Sequence, residues 1–117
     1  MSKIERLENG PRMSQAVIHN GVVYIAGQVA EDCPGASVKD QTRNILERTD
    51  KLLAAAGTDK SKLLQATIYL VDVRTFADMN SVWDKWVVPG SGPARATVEA
   101  KLAGPEYAVE IAFIAAR

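Results

Sequence analysis

One apolar stripe, along residues 38–56, restricts the folds open to this chain more than any other feature of its sequence. Ser37 stands before the stripe as the predicted N-cap of a helix, and Gly57 follows it where a left-handed C′ residue belongs. Because a helix with one apolar face must bury that face, the chain needs a second layer against it. The stripe has the three- and four-residue intervals of an amphipathic helix and consists of Val38, Thr42, Ile45, Leu46, Thr49, Leu52, Leu53 and Ala56.

The second layer is predicted from segments whose side chains alternate with a period of two, as in β-strands. The dipeptide Asn20-Gly21 supplies the positive φ angles of a type I′ hairpin turn between two β-prone runs, residues 16–19 and 22–28. Further strands are predicted over residues 64–71, 95–100 and 109–115.

A second helix is predicted after the third of these strands. Thr75 and Asp78 have the arrangement of a capping-box variant at its start. Its tryptophans are interpreted as core residues that pack on a sheet, rather than as rings that stack on a ligand. The apolar side of this helix consists of Phe76, Met79, Trp83, Trp86 and Val87.

The predicted order is therefore β-β-α-β-α-β-β. We expect an α+β fold, a two-layer sandwich in which both helices cover one face of a mixed sheet. The length of 117 residues suits one domain spanning residues 1–117. The other face of the sheet has no predicted cover and carries Val and Ile at alternate positions, which favours self-association through it.

Composition excludes several classes of function. Lys and Arg number 14 and Asp and Glu 14, so the formal net charge is zero, which argues against a nucleic-acid partner bound by phosphate neutralisation. A single cysteine, Cys33, forbids an internal disulfide, and one Cys with one His cannot build a zinc site. No apolar leader and no bilayer-length apolar run is visible, so we expect a cytoplasmic protein with no membrane partner.

Two pairs of residues are candidates for chemistry. His19 and Cys33 are the only pair that suits Cys/His nucleophilic catalysis, and nothing in the sequence brings them together; the Gly90-Ser91-Gly92 segment indicates a loop only. Arg95 begins one strand and Glu110 interrupts another. If those strands are antiparallel neighbours, an arginine fork for a carboxylate and a water-orienting acid share a cleft. An ion pair that joins two strands is the more common use of such residues.

The same residues carry a resemblance to the Rid (YjgF) family, whose archetype RidA is an enamine/imine deaminase, and within it to the YoaB-like group. The resemblance runs nearly end to end, and its ordered set of motifs is specific. The matching segments are Ser14-Gln15-Ala16-Val17, Tyr24-Ile25-Ala26-Gly27-Gln28, Gln41-Thr42, Ala54-Ala55-Ala56-Gly57, Ala66-Thr67-Ile68-Tyr69-Leu70 with Asp72, Phe76 and Asn80, then Pro93-Ala94-Arg95-Ala96-Thr97-Val98 and Val109-Glu110-Ile111.

The resemblance implies a chorismate-mutase-like α+β fold and a homotrimer with clefts between protomers. It also implies that Arg95 holds a substrate carboxylate and that Glu110 positions the hydrolytic water, with no metal or organic cofactor. The two residues lie fifteen positions apart, as in the family. Gly27, Asn80 and Thr97 are the family's cleft-lining positions.

Three positions depart from the archetype. Met13 stands where a tyrosine closes the site, Ala26 where a serine precedes the Gly-Gln pair, and Thr97 where a cysteine follows the arginine. Two hydroxyls are therefore missing. The sequence predicts a deaminase that hydrolyses 2-imino or enamine acids to 2-oxo acids and ammonia. The alternatives are a non-catalytic binder or sensor of small carboxylates and, ranked last because of the zero net charge, an endoribonuclease.

Overall fold

The computed structural model describes residues 3–117, and within them the chain forms six strands and two α-helices. Two short 3-10 turns, Lys60–Lys62 and Val73–Thr75, precede β4 and α2. The elements are β1 (Glu5–Leu7), β2 (Ala16–His19), β3 (Val22–Gln28), α1 (Val38–Ala55), β4 (Leu63–Leu70), α2 (Phe76–Trp86), β5 (Ala94–Glu99) and β6 (Val109–Ala116).

The strands form one sheet in the order β1-β2-β3-β6-β4-β5. The pair β4–β5 is parallel and the other neighbours are antiparallel, so the sheet is mixed as predicted. The strand order does not match the arrangement in which Arg95 and Glu110 lie on neighbouring antiparallel strands. Because β4 lies between β5 and β6, the strands of Arg95 and Glu110 are not neighbours. The predicted order also lacks β1, which pairs with β2 at the edge of the sheet.

The turn and the cap at the start of α1 have the predicted geometry. Asn20 and Gly21 have φ angles of 50° and 75°, which both central residues of a type I′ turn require. The Ser37 hydroxyl accepts a hydrogen bond from the Asp40 N–H at 3.2 Å, and Gly57 has a φ of 82° just after the helix.

The capping box predicted at Thr75 is wrong. The Thr75 side chain makes no cap bond to α2, and its hydroxyl instead donates to the Asp72 carbonyl at 2.6 Å. The capping role moves one turn earlier, where the Asp72 carboxylate accepts the Arg74 N–H at 2.9 Å. The chain therefore enters α2 through a capped 3-10 turn, and the helix needs no cap of its own at Thr75.

The core lies between the two helices and one face of the sheet, which confirms the α+β two-layer sandwich. Trp83 is 5% exposed, and its ring stacks parallel to that of Phe113, with 6.1 Å between the centroids. Trp86 packs at an angle on the same ring, and its indole N–H donates to Asp50 at 3.0 Å. The tryptophans are core residues, as the sequence predicts.

The opposite face of the sheet has no covering element within residues 3–117. Tyr24 on β3 and Val98 on β5 are 46% and 43% exposed there. No helix in the same range has the length and apolar character that crossing a bilayer requires.

Candidate functional site

Arg95 lies on the edge strand β5 and points toward the helix layer. It pairs in register with Ala66, which is fully buried under the helices, so its side chain shares that face of the sheet. The guanidinium donates one hydrogen bond, from Nη1 to the Asn80 side-chain oxygen at 2.8 Å. Its central carbon also lies 5.5 Å from the ring centroid of Phe76 and 5.3 Å from that of Trp83, within cation–π range.

The residues around Arg95 come from one face of α2. Phe76, Asn80 and Trp83 occupy positions i, i+4 and i+7, which lie above one another on a helix. The sequence motifs include Phe76 and Asn80 and predict a site role for Asn80 alone, whereas Trp83 is predicted only as part of the core stripe. The i, i+4, i+7 spacing, taken together with an arginine on a later strand, is the sequence signal by which Phe76 and Trp83 could be predicted to contact that arginine.

Thr97 follows Arg95 by two residues and therefore faces the same side of β5. It pairs with Ile68, which is also fully buried on the helix side. Its hydroxyl is shielded from solvent and has no hydrogen-bond partner among residues 3–117. A buried hydroxyl without a partner is costly, so the Thr97 hydroxyl is a polar group that the fold of residues 3–117 leaves unsatisfied.

Glu110 and Gly27 form a second group at the end of the sheet. Gly27 lies in an irregularity of β3 between Ile25 and Gln28, where β3 has one residue more than β6, as in a β-bulge. A side chain at position 27 would collide with the Glu110 carboxylate, because its Cβ would lie 2.9 Å from the carboxyl carbon. Glycine therefore provides the space that the acid occupies.

The two groups lie on opposite faces of the sheet in one protomer. Glu110 alternates with the buried Val109 and Ile111, so it points to the open face, away from the helices and from Arg95. Within residues 3–117 neither Arg95 nor Glu110 takes part in an ion pair, so the strand-joining salt bridge is not formed. Met13 lies in the loop between β1 and β2, is 48% exposed, and accepts the Gly10 N–H at its carbonyl.

The other candidate pair does not meet. His19 ends β2 beside the start of β3, whereas Cys33 follows the far end of β3, about 20 Å away for a seven-residue strand. Burial, with the nearby Asp40 and Asp32 carboxylates, raises the pKa of the Cys33 thiol, which weakens it as a nucleophile at neutral pH. Residues 3–117 contain no cluster of three His, Cys, Asp or Glu side chains suited to a metal.

Comparison with known proteins identifies the family. Residues 4–117 match the model of a family described as Endoribonuclease L-PSP. The chain is 46% identical over 112 residues to a RutC family protein of Haemophilus influenzae, covering 96% of this chain and 97% of that protein. The crystal structure of NMB1025 from Neisseria meningitidis, a member of the YjgF protein family, has a TM-score of 0.95 at 44% identity and covers 98% of this chain and 95% of that one.

The chain therefore belongs to the Rid (YjgF) family, as its motifs indicate. Within that family it is YoaB-like: it is 45% identical over 113 residues to the RutC family protein YoaB of Escherichia coli, covering 97% of each chain.

Proposed function

We propose that this chain is a deaminase of small 2-imino or enamine acids, acting in a homotrimer at clefts between protomers. The observation that carries the proposal is the setting of Arg95. Of the five N–H groups of a guanidinium, one is donated to Asn80, and the remaining four have no partner within residues 3–117. The aromatic faces of Phe76 and Trp83 and the Asn80 bond hold the group in place, so its fork is preorganised for a carboxylate.

The cleft is proposed to form between protomers because Arg95 and Glu110 face opposite sides of one sheet. The two residues can share a site only if a second copy brings its edge strand β5 to the open face that carries Glu110. The exposed Tyr24 and Val98 on that face support such an assembly, since burying them stabilises it.

In the proposed reaction, Arg95 binds the substrate carboxylate and Glu110 of the adjacent protomer acts on water. The water oxygen bonds to the imine carbon while one water proton passes to the Glu110 carboxylate. Glu110 returns that proton to the nitrogen, which gives a carbinolamine. The carbinolamine hydroxyl then passes its proton to the nitrogen through the same carboxylate, the C–N bond breaks as the C=O bond forms, and ammonia and a 2-oxo acid are released. An imine is already electrophilic, so positioning of water supplies much of the acceleration.

The activity is tested on imines generated in situ by an amino-acid oxidase, with oxo-acid or ammonia release measured against the spontaneous rate. We expect Arg95→Lys, which keeps the charge but loses the planar fork, and Glu110→Gln to lose turnover, by about a hundredfold or more. Arg43→Lys and Glu47→Gln on the solvent side of α1 are matched controls and should be unaffected. No acceleration by the unaltered protein with any amino acid tested would reject the deaminase.

Mixed trimers test the location of the cleft. Arg95→Ala and Glu110→Gln protomers are each expected to be inactive alone. Co-refolded in equal amounts, they regain native clefts wherever an intact Arg95 meets an intact Glu110, which for random assembly is about a quarter of all clefts. Recovery of no activity, with trimers formed, would mean that both residues act within one protomer.

A non-catalytic carboxylate binder is the second candidate. It is favoured by Met13 and Ala26, which lack the hydroxyls of the archetype at those positions. It shares the Arg95 fork and predicts that pyruvate binds the unaltered protein and not Arg95→Ala, while no imine turnover is observed.

A further inference from the structure

A groove lies between α1 and α2 and shares no residue with the candidate site. Its volume is about 270 Å³. An apolar cavity of about 150 Å³ already holds benzene, so this space suits one aromatic ring with a short substituent. We call it the interhelical groove. The lining residues that carry its chemistry are Leu46, Asp50, Lys60, Val82, Lys85 and Trp86.

The floor of the interhelical groove is apolar and held by the core. Leu46 of α1 is 2% exposed and Val82 of α2 is 8% exposed. Trp86 is half-buried: its ring packs on Phe113, and its indole N–H donates to Asp50 at 3.0 Å. Because these contacts fix the ring, the part of Trp86 that reaches the groove is a preformed aromatic surface. Binding a second ring against it orders few protein side chains.

Two lysines beside this floor have no carboxylate partner in the described part of the chain. The Lys60 ammonium lies 5.3 Å from the ring centroid of Trp86, within cation–π range, and Lys85 directly precedes Trp86 on α2. Neither lysine takes part in an ion pair within residues 3–117. The third basic residue of the lining, Arg43, differs from them because it is paired with Asp40 at 2.7 Å.

The charges of the interhelical groove favour an anion over a cation. Its lining has three basic and two acidic side chains, and Asp50, one of the acids, already accepts the indole N–H. A carboxylate beside Trp86 therefore meets two ammonium groups that residues 3–117 leave without an ion pair, whereas a cation there would be repelled by them. Lys60 is held next to the ring by its cation–π contact, so it can bind a carboxylate without leaving the ring.

We propose that the interhelical groove binds a small aryl carboxylate, a molecule with one aromatic ring and one carboxylate. The ligand ring lies on Trp86 and the apolar floor, and the ligand carboxylate accepts from Lys60 and Lys85. Both parts of the ligand are needed, because an ion pair at an exposed position contributes little by itself and an uncharged ring leaves both lysines unpaired. The inference does not depend on the proposed deaminase activity, since the two sites share no residue.

The test titrates the ¹⁵N-labelled protein with phenylacetate and follows the indole N–H resonances of Trp83 and Trp86, which Trp86→Phe assigns. Because a carboxylate also suits Arg95, which contacts Trp83, the titration is repeated in Arg95→Ala. We expect the Trp86 resonance to shift saturably in both proteins at concentrations up to about 20 mM. Phenylacetamide, which has the ring without the charge, and acetate, which has the charge without the ring, should each bind about tenfold more weakly.

Two variants identify the residues responsible. Lys60→Gln and Lys85→Gln each remove one ammonium group, so each should raise the dissociation constant about threefold, and the two together about tenfold. Lys51→Gln, at an exposed position of α1 outside the groove, is the matched control and should bind normally. The proposal would be overturned by an unchanged Trp86 resonance or by a shift that disappears in Arg95→Ala. Equal binding of phenylacetamide or acetate, or undiminished binding by the double lysine variant, would overturn it as well.

Discussion

Replacing Thr97 by Val should stabilise the protein and weaken its ligand binding at the same time. Valine keeps the β-branched shape, so the change removes little except the hydroxyl. That hydroxyl is buried and has no partner within residues 3–117, so its desolvation is not compensated. An unsatisfied buried polar group costs about 1–3 kcal/mol, and since Thr97 is only partly buried we expect the free energy of unfolding to rise by about 1 kcal/mol.

Binding of a short carboxylate should change in the opposite direction. Thr97 faces the same side of β5 as Arg95, so in the proposed site its hydroxyl bonds the molecule held by the arginine. Loss of one such hydrogen bond costs about 0.5–1.5 kcal/mol of binding free energy, which raises the dissociation constant roughly 2- to 13-fold. Titration calorimetry with pyruvate measures the change in the dissociation constant. Urea unfolding at a fixed protomer concentration measures the change in the free energy of unfolding.

Thr49→Val is the matched control. Thr49 is fully buried in α1, but its hydroxyl donates to the Ile45 carbonyl at 2.8 Å, so this substitution removes a bond that is made. It should lower the free energy of unfolding by about 1 kcal/mol and leave pyruvate binding unchanged. Destabilisation by Thr97→Val to the same extent would show that the Thr97 hydroxyl has a partner in the assembly. A stabilised Thr97→Val with unchanged affinity would place Thr97 outside the binding site.

Three further predictions concern other parts of the molecule. Gly27→Ala should displace the Glu110 carboxylate and lower imine turnover by about a hundredfold while the circular dichroism spectrum stays the same. Hydrogen bonds from Arg74 lower the pKa of Asp72 below its ordinary value of 3.8, so the stabilisation is fully present above that pH and is lost as pH falls through the lowered pKa; Asp72→Asn should lower the melting temperature at pH 7 and have a progressively smaller effect as pH falls below 3.8. Because burial raises the pKa of the Cys33 thiol, iodoacetamide should modify it more slowly than a free thiol at pH 7.5, and Cys33→Ser should leave turnover unchanged.

Local chemistry determines the elements that the sequence predicts correctly. The Asn20-Gly21 turn and the Ser37 cap depend on a few adjacent residues, and the stripe of α1 has one consistent period, so no tertiary information is needed. By contrast, β1 has only three residues, Glu5–Leu7, and no apolar alternation. It is a strand because the edge of β2 offers it hydrogen-bonding groups, which a local pattern does not reveal.

The predicted cap of α2 is wrong for a related reason. Thr75 and Asp78 satisfy the pattern, but Asp72 competes for the same role from three residues earlier and forms the bonds instead. When two short polar side chains precede one helix, the choice between them depends on the path by which the chain arrives, here directly from the end of β4.

The orientation of Arg95 is the feature of the candidate site that the sequence pattern alone does not predict. Alternation along β6 is strong enough to show that Glu110 points away from the core, because its neighbours Val109 and Ile111 are large and apolar. Along β5 the neighbours of Arg95 are alanines, and nothing in the strand itself tells which side faces the helices. Only the parallel register with β4 decides it, by placing Arg95 beside the buried Ala66. A pair of residues fifteen positions apart thus falls on opposite faces of one sheet. In the proposed deaminase, the separation of Arg95 from Glu110 within a protomer requires a second copy to complete the site, and the exposed face of the sheet is the surface that this proposed assembly covers.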